Sequence, residues 1–341
     1  MRPTRHPENQ ACALVNLGTL RILLIVNSFA SSVTPKNTVL VHQHLARNHD
    51  VQVVETNERG HATRFAQDAA ARGLDAVVAF GGDGTLNEVA TGVAGSDTAL
   101  GVLPGGSTNV FARTIGLPND PTAAVSKLIE GLADPDRNIR PIGLGRVNGR
   151  FFCFHTGVGY DAAVVRTVEQ RAYLKRWAGH PLFIYAALHT WLTKYDREHP
   201  HFRVAADDAI GGYGTDGTPS GSARLVNDGY FTIVMNTNPY SFLGNRPLDL
   251  SPNAGLDKPL VAITFRTMSA RAILSTVLGA LKGGGVTPNE NVAVFDDVHE
   301  LVVEHETPFP YQVDGDYLGE TSRLHFRHVP EAVRLAFPAS P

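Results

Sequence analysis

Apolar residues recur along this chain in short unbroken runs, and several of the runs stop at a polar or glycine-rich loop. Leu20-Arg21-Ile22-Leu23-Leu24-Ile25-Val26, Val51-Gln52-Val53-Val54-Glu55, Ala76-Val77-Val78-Ala79-Phe80 and Ala99-Leu100-Gly101-Val102-Leu103 read as strands of a buried sheet. Helices are predicted between them, from Lys36 to Asn48, from Thr56-Asn57-Glu58-Arg59 to Arg72, and after Thr85 and Glu88, whose T-x-x-E spacing matches a capping box. A further helix is expected over Val110–Ile115. Strands alternating with helices through short connections predict a parallel α/β sheet with right-handed crossovers. The loops after Val26, Phe80 and Leu103 then fall at the carboxyl edge of the sheet, where such folds bind ligands.

The pattern changes after Asp136. Ile139–Val147 and Arg150–Thr156 read as strands paired about Asn148-Gly149, a favoured hairpin dipeptide. A helical stretch runs from Tyr160 to Tyr195 with a break near Gly179-His180-Pro181. Short strands follow at Phe202–Ala205, Arg224–Leu225, Tyr230–Met235, Val261–Thr264, Leu301–Glu304, Phe309–Val313, Gly319–His325 and Ala332–Phe337. This spacing predicts an antiparallel β-sandwich, with the Gly/Ser/Thr-rich Gly211–Ser222 as a hairpin tip. The expected organisation is a leader over 1–19, an α/β nucleotide-binding domain over 20–137 and a β-sandwich substrate domain over 138–330. A terminal strand and tail over 331–341 could return to the first domain.

Composition narrows the function classes. The 341 residues suit two domains, and 43% hydrophobic with 18% charged residues suits a soluble globular protein with a large core. A net charge of −3 gives no basic field for nucleic acid. Cys12 and Cys153 build no disulfide framework and fit a reducing compartment. No apolar run reaches membrane-spanning length, and Met1–Leu20 lacks the apolar centre of a signal peptide.

The chemistry concentrates in three places. Gly81-Gly82-Asp83-Gly84-Thr85-Leu86-Asn87-Glu88-Val89 joins a buried strand to a helix N-terminus. Glycines let the backbone approach an anion, uncapped N–H groups and the helix dipole favour phosphate, and one carboxylate can share a Mg²⁺ with it. The spacing is neither a Walker loop nor G-x-G-x-x-G. Pro104-Gly105-Gly106-Ser107-Thr108-Asn109 is a second such loop. Asp314-Gly315-Asp316 is the third, reading either as an ordinary hairpin turn or as two carboxylates offered to a site.

These motifs resemble those of the diacylglycerol kinase catalytic superfamily, which includes bacterial diacylglycerol kinases, YegS-like lipid kinases, sphingosine kinases and ceramide kinases. The resemblance runs from Arg21 to Phe337. Gly81–Val89 and Leu103–Arg113 are similar to its two signature motifs, and Ile25-Val26-Asn27-Ser28 to its first-strand loop. Thr56 with His61-Ala62 resembles a nucleotide-contacting segment, Gly157–Ala162 the G-x-G-x-D-A element and Asp314–Asp316 the D-G-E. The resemblance implies an ATP-dependent lipid kinase with ATP in the cleft between an α/β domain and a β-sandwich. It implies nucleotide contacts from Asn27, Thr56, Gly81, Gly82, Asp83, Gly84, Thr85, Asn87, Gly106, Ser107 and Asn109, with Mg²⁺ held by Asp83. Asp314 or Asp316 would take the proton of the attacking hydroxyl, and Asp161 would meet the lipid head group or simply cap its helix.

Four departures stand out. Ser28 replaces the usual proline, Val110 an aspartate, Asp316 a glutamate, and Asp257-Lys258-Pro259 the D-D-G of a structural metal loop, leaving Asp257 as its one metal ligand. Sphingosine and ceramide kinases also lack the aspartate at the Val110 position. The stretch Tyr173–Tyr195, apolar and aromatic with Lys175, Arg176 and Lys194 at its flanks, reads either as a core helix over the sandwich or as a bilayer-facing helix. The leading expectation is diacylglycerol phosphorylation by a cytoplasmic, membrane-peripheral enzyme, possible as a homodimer and without nucleic acid. The other readings are a sphingoid or long-chain alcohol kinase, an NAD kinase sharing Gly-Gly-Asp-Gly-Thr, and a catalytically silent lipid- or nucleotide-binding protein.

Overall fold

The apolar runs of the N-terminal half pair side by side in the computed structural model, which describes residues 18–170, 184–207 and 224–339. β1 (Arg21–Val26) lies parallel between β2 (Asp50–Glu55) and β3 (Ala76–Gly81), and β3 pairs in parallel with β4 (Ala99–Pro104). β3 and β4 are buried along their whole length, as is β1 beyond its first residue, whereas β2 is partly exposed as the edge strand. The crossovers are α1 (Pro35–Ala46), α2 (His61–Ala71) and α3 (Asp83–Val93). After β4 come α4 (Val110–Thr114), α5 (Pro121–Leu132) and α6 (Pro135–Asn138). α1 and α5 each start at a residue whose side chain accepts an N–H bond three positions on, Thr34 and Asp120, followed by proline at the first helical position.

The second half is built from antiparallel pairs. β5 (Ile139–Val147) turns through Asn148 and Gly149, both at positive φ (45° and 90°), into β6 (Arg150–Phe152), the hairpin that Asn-Gly predicts. β7 (His155–Gly159) leads into α7 (Tyr160–Glu169). A further helix, α8, is described over 184–193. β8 (Phe202–Ala206), β9 (Leu225–Gly229), β10 (Phe231–Met235), the small hairpin β11 (Ser241–Leu243) and β12 (Arg246–Leu248), and β13 (Leu260–Phe265) follow. The chain ends through α9 (Ala270–Leu281), β14 (Val292–Val298), β15 (Glu300–Val313) and β16 (Asp316–Ala336).

Among the described residues 14 strands join one sheet, because β16 reaches back to pair in parallel with β4 at Arg334 and Leu335. The same strand pairs antiparallel with β15 and β5, so it is the seam between the α/β half and the β-rich half. The arrangement is an α/β layer joined to an antiparallel β-sandwich.

Several expected elements differ in extent. The four short strands read over 301–337 are two long ones with register shifts near Pro308 and Pro310 and between Val329 and Val333. Proline removes ladder donors, which interrupts the periodicity without ending the strand. α9 (Ala270–Leu281) is a helix that the sequence reading does not include. The leader at 1–17, the first part of the Tyr173–Tyr195 stretch and the Gly211–Ser222 tip lie outside the described residues.

Candidate active site

β3 delivers the chain to Gly82, the N-cap of α3, which has extended backbone and supplies no side-chain cap. The capping box expected from Thr85 and Glu88 does not form. Thr85 lies inside α3, and its Oγ1 accepts a 2.8 Å bond from Asn27 Nδ2 at the end of β1. Glu88 instead accepts from the Gly60 and Ala62 N–H groups, at 2.9 and 3.1 Å, at the start of α2. A distant helix end competes better for this carboxylate than its own helix does. The first turn of α3 is therefore left without a side-chain cap beside Asn27 and the buried Thr56 at the end of β2.

The second glycine loop packs on the first, backbone against backbone. Gly105 N donates to Gly81 O at 2.8 Å. A Cβ on Gly105 would stand 2.8 Å from Gly81 Cα, and one on Gly106 would stand 3.0 Å from Gly82 Cα. Asp83 ties the loops further, accepting from Val110 N (3.1 Å) and Phe111 N (3.2 Å) at the start of α4. Asn109, left-handed at φ 49°, turns its carboxamide back on Gly106 and on Asn119 Oδ1, so it shapes the loop from within. Ser107 stays exposed at the tip. Gly105→Ala is expected to force the loops apart. At the ~1–3 kcal/mol typical of overpacking, ATP affinity by titration calorimetry should fall roughly ten- to hundredfold.

The β15–β16 turn separates its two aspartates completely. Asp314, at φ 48°, points inward and is 5% exposed. Its carboxylate accepts from Cys153 N (2.7 Å), Phe154 N (3.0 Å), His155 N (3.1 Å) and Asn87 Nδ2 (2.8 Å). Asn87 also donates to Phe151 O at 2.9 Å, so it braces α3 to the β-rich half. Burial pushes the Asp314 carboxyl up to about 6 against the downward pull of these four bonds. Asp316 points outward over the first turn of α3, where a Cβ on Gly84 would stand 3.6 Å from its Oδ2. It is 31% exposed and lies 3.7 Å from Arg59 Nη2 and 3.9 Å from Arg150 Nη2.

Asp161, the second residue of α7, lies over Gly157 of β7. Tyr240 Oη donates to one of its oxygens and Gln312 Nε2 to the other at 2.8 Å. Gln312 Oε1 in turn accepts from Gly315 N at 2.8 Å, which links Asp161 to the aspartate turn. Burial raises the Asp161 carboxyl, and the two hydrogen bonds oppose that rise. His155, its ring centroid 4.3 Å from that of Tyr240 and tilted 39° to it, is held neutral by burial, its pKa lowered to about 3. Asp257 is exposed on the loop before β13, and the described residues contain no group of three or more His, Cys, Asp or Glu placed to hold a metal. Sequence reasoning missed Arg59, Arg150, Tyr240 and Gln312. Only Arg150, directly after the Asn-Gly turn, had a local signal; the rest come from elements that meet only in the fold.

The model of the diacylglycerol kinase catalytic domain matches residues 21–139, which spans both glycine loops. A YegS-like lipid kinase of Pseudomonas aeruginosa is 30% identical over 293 residues, covering 85% of each chain. The chain belongs to the diacylglycerol kinase catalytic-domain superfamily. A second YegS-like lipid kinase, from Klebsiella pneumoniae, is 32% identical over 303 residues, covering 85% of this chain and 86% of its own. A diacylglycerol kinase of Bacillus subtilis is 46% identical over 103 residues, 29% of this chain and 32% of its own. The fold is shared with a diacylglycerol kinase structure from Bacillus anthracis at TM-score 0.64 and 20% identity, covering 94% of this chain and 97% of that one. Family membership makes the protein a lipid kinase, a class that uses ATP. Among the described residues of this lipid kinase no helix is long and apolar enough to cross a membrane.

Proposed function

We propose that this lipid kinase transfers the γ-phosphoryl group of ATP to the free hydroxyl of diacylglycerol, giving ADP and phosphatidic acid, with Asp316 as general base. The observation that carries the assignment is the split of the aspartate pair. Asp314 is occupied by four donors, whereas Asp316 stands open over the uncapped turn between the glycine loops. The hydroxyl oxygen forms a bond to the γ-phosphorus, the bond to the β–γ bridging oxygen breaks, and the hydroxyl proton passes to Asp316. The backbone N–H groups of the two loops and the Ser107 hydroxyl bind and orient the phosphates.

The donor set fits a Mg²⁺ carried mainly by the nucleotide. Asp83 is the one carboxylate in the glycine turn itself, and apolar Val110 stands where a second acid would. Bound there, Mg²⁺ would neutralise phosphate charge. Exposed Asp257 does not fit a metal site with Lys258 beside it.

Arg59 and Arg150 converge on Asp316 from β2's loop and from β6, at ion-pair distances too long for tight hydrogen bonds. That looseness leaves both guanidiniums able to turn to the transferring phosphoryl group. Arg59→Gln and Arg150→Gln should each lower kcat by about 10- to 100-fold while changing the KM for ATP far less. A larger rise in KM than fall in kcat would assign them to ground-state binding instead.

The function is tested with radiolabelled ATP and a mixed lipid extract. The expected label is in phosphatidic acid. Label confined to a sphingoid or other long-chain alcohol would replace the substrate, and label in NAD would overturn the lipid acceptor altogether.

A further inference from the structure

Helices α8 and α9 of the β-rich half leave apolar side chains in water that their length and pattern would allow them to bury. Among the described residues ten large hydrophobic side chains are exposed, and Ile184, Tyr185, Leu188, Leu192, Leu274 and Leu278 all belong to these two helices. Six of ten on two helices is a concentrated surface, not the scatter that any protein shows. Ile184 (56% exposed), Leu188 (58%) and Leu192 (61%) recur every fourth residue, and so do Leu274 (59%) and Leu278 (49%). Each set is therefore a stripe along one helix face.

The opposite sides of these helices are anchored. In α8, Ala186 and Thr190 are fully buried, Tyr160 Oη of α7 donates to Ala187 O at 2.7 Å, and the Thr167 and Thr190 hydroxyls lie 3.0 Å apart. α9 buries fully only Ala280, although it carries Ile273, Leu274, Val277, Leu278 and Leu281. The two helices are neighbours. Trp191 Nε1 donates to Met268 O at 3.1 Å, just ahead of α9, and Trp191 and Ile273 pack against one apolar cluster.

Charge decides what this surface fits. Neither 184–193 nor Ala270–Leu281 contains an acidic residue, while exposed Arg271, Lys282 and Lys194 stand on or beside them, in a chain whose net charge is −3. An apolar stripe bordered by these cations, with Asp196 and Glu290 the acids nearest along the chain, suits a bilayer interface bearing anionic lipid. The surface also adjoins the site, because α8 packs on α7, the helix that carries Asp161.

We propose that the α8 and α9 stripes seat this lipid kinase in the surface of an anionic phospholipid bilayer, bringing the Asp161 end of the cleft to membrane-resident substrate. The inference rests on the lipid-kinase reading for its choice of partner, and its test separates the two.

The full chain would be sedimented with vesicles of phosphatidylcholine, with and without phosphatidylglycerol. The variants are Leu188→Gln with Leu192→Gln, and Leu274→Gln with Leu278→Gln. These side chains are exposed, so the melting temperature should hold. Wild type is expected to sediment with the phosphatidylglycerol vesicles and less so as salt rises. Each double variant should bind at least about tenfold more weakly, since even one leucine's transfer is worth that factor. Activity on diacylglycerol in vesicles should fall with binding, while activity on a dispersed short-chain diacylglycerol stays at the wild-type value. Variants that sediment like wild type would overturn the docking surface, as would a wild type that sediments with neither vesicle. Variants that only shift a monomer–dimer equilibrium in sedimentation velocity would assign the stripes to a second copy instead. A wild type that binds vesicles but labels no lipid would leave the docking surface standing and overturn the substrate reading.

Discussion

Asp316→Asn should lower kcat for phosphoryl transfer by about 10²–10⁴-fold, the range for loss of a general base, while ATP still binds. Asparagine keeps the shape of the side chain over Gly84 but cannot accept the hydroxyl proton. The loosened pairs to Arg59 and Arg150, at 3.7 and 3.9 Å on a partly exposed carboxylate, are worth little to stability, so the melting temperature should stay close to wild type. Asp316→Glu, which restores a carboxylate one methylene longer, should recover part of the rate. Calorimetric ATP titration beside initial-rate kinetics checks the assignment. Full activity in Asp316→Asn would end it.

Asp314→Ala should fail in the opposite way, through folding. Removing the carboxylate strands three buried backbone N–H groups, those of Cys153, Phe154 and His155, and frees Asn87 from one of its two partners. Stranding the partners of a buried charge costs roughly 3–5 kcal/mol, enough to lower the melting temperature by many degrees. The same residue gives stability a pH signature. Burial raises the folded-state pKa to about 6, above the ordinary carboxylate value near 4. Between those values the folded protein keeps a proton that the unfolded chain releases. The contribution of Asp314 is thus fully present below the lower value and is lost as pH rises through about 6. The loss amounts to roughly 3 kcal/mol as an order of magnitude. Urea unfolding across this window, compared between wild type and Asp314→Asn, should show the difference shrinking with rising pH; a difference that grows would reverse the sign of the shift.

These two variants lie two residues apart in one Asp-Gly-Asp turn, and nothing local distinguishes them. What separates them is that Asp314 takes a left-handed backbone that buries its carboxylate against the start of β7, while Gly315 turns the chain so that Asp316 faces α3. The glycine loops were legible for the contrary reason. A buried strand, a run of glycines and a helix start are contiguous, and their backbone geometry is a property of the segment itself. Glu88 shows where local reasoning stops. Its spacing from Thr85 is that of a capping box, yet its carboxylate serves α2, because Asn27 has already engaged Thr85 and the start of α2 lies within reach. Asn87 and Asn109, expected as nucleotide contacts, and Asp161, expected as a lipid contact or a helix cap, have side chains that bond within the protein to Asp314, to their own loop, and to Tyr240 and Gln312.

By itself, then, the chain's pattern determined the parallel α/β order, the two glycine loops and the family's chemistry, since each depends on residues close in sequence. Tertiary structure alone decided which aspartate is buried and which is partly exposed, that two arginines from separate elements flank the second, and that α8 and α9 leave leucines in water. Each of these is a matter of which polar group wins a distant partner and which apolar face finds none, and that competition involves residues far apart in sequence.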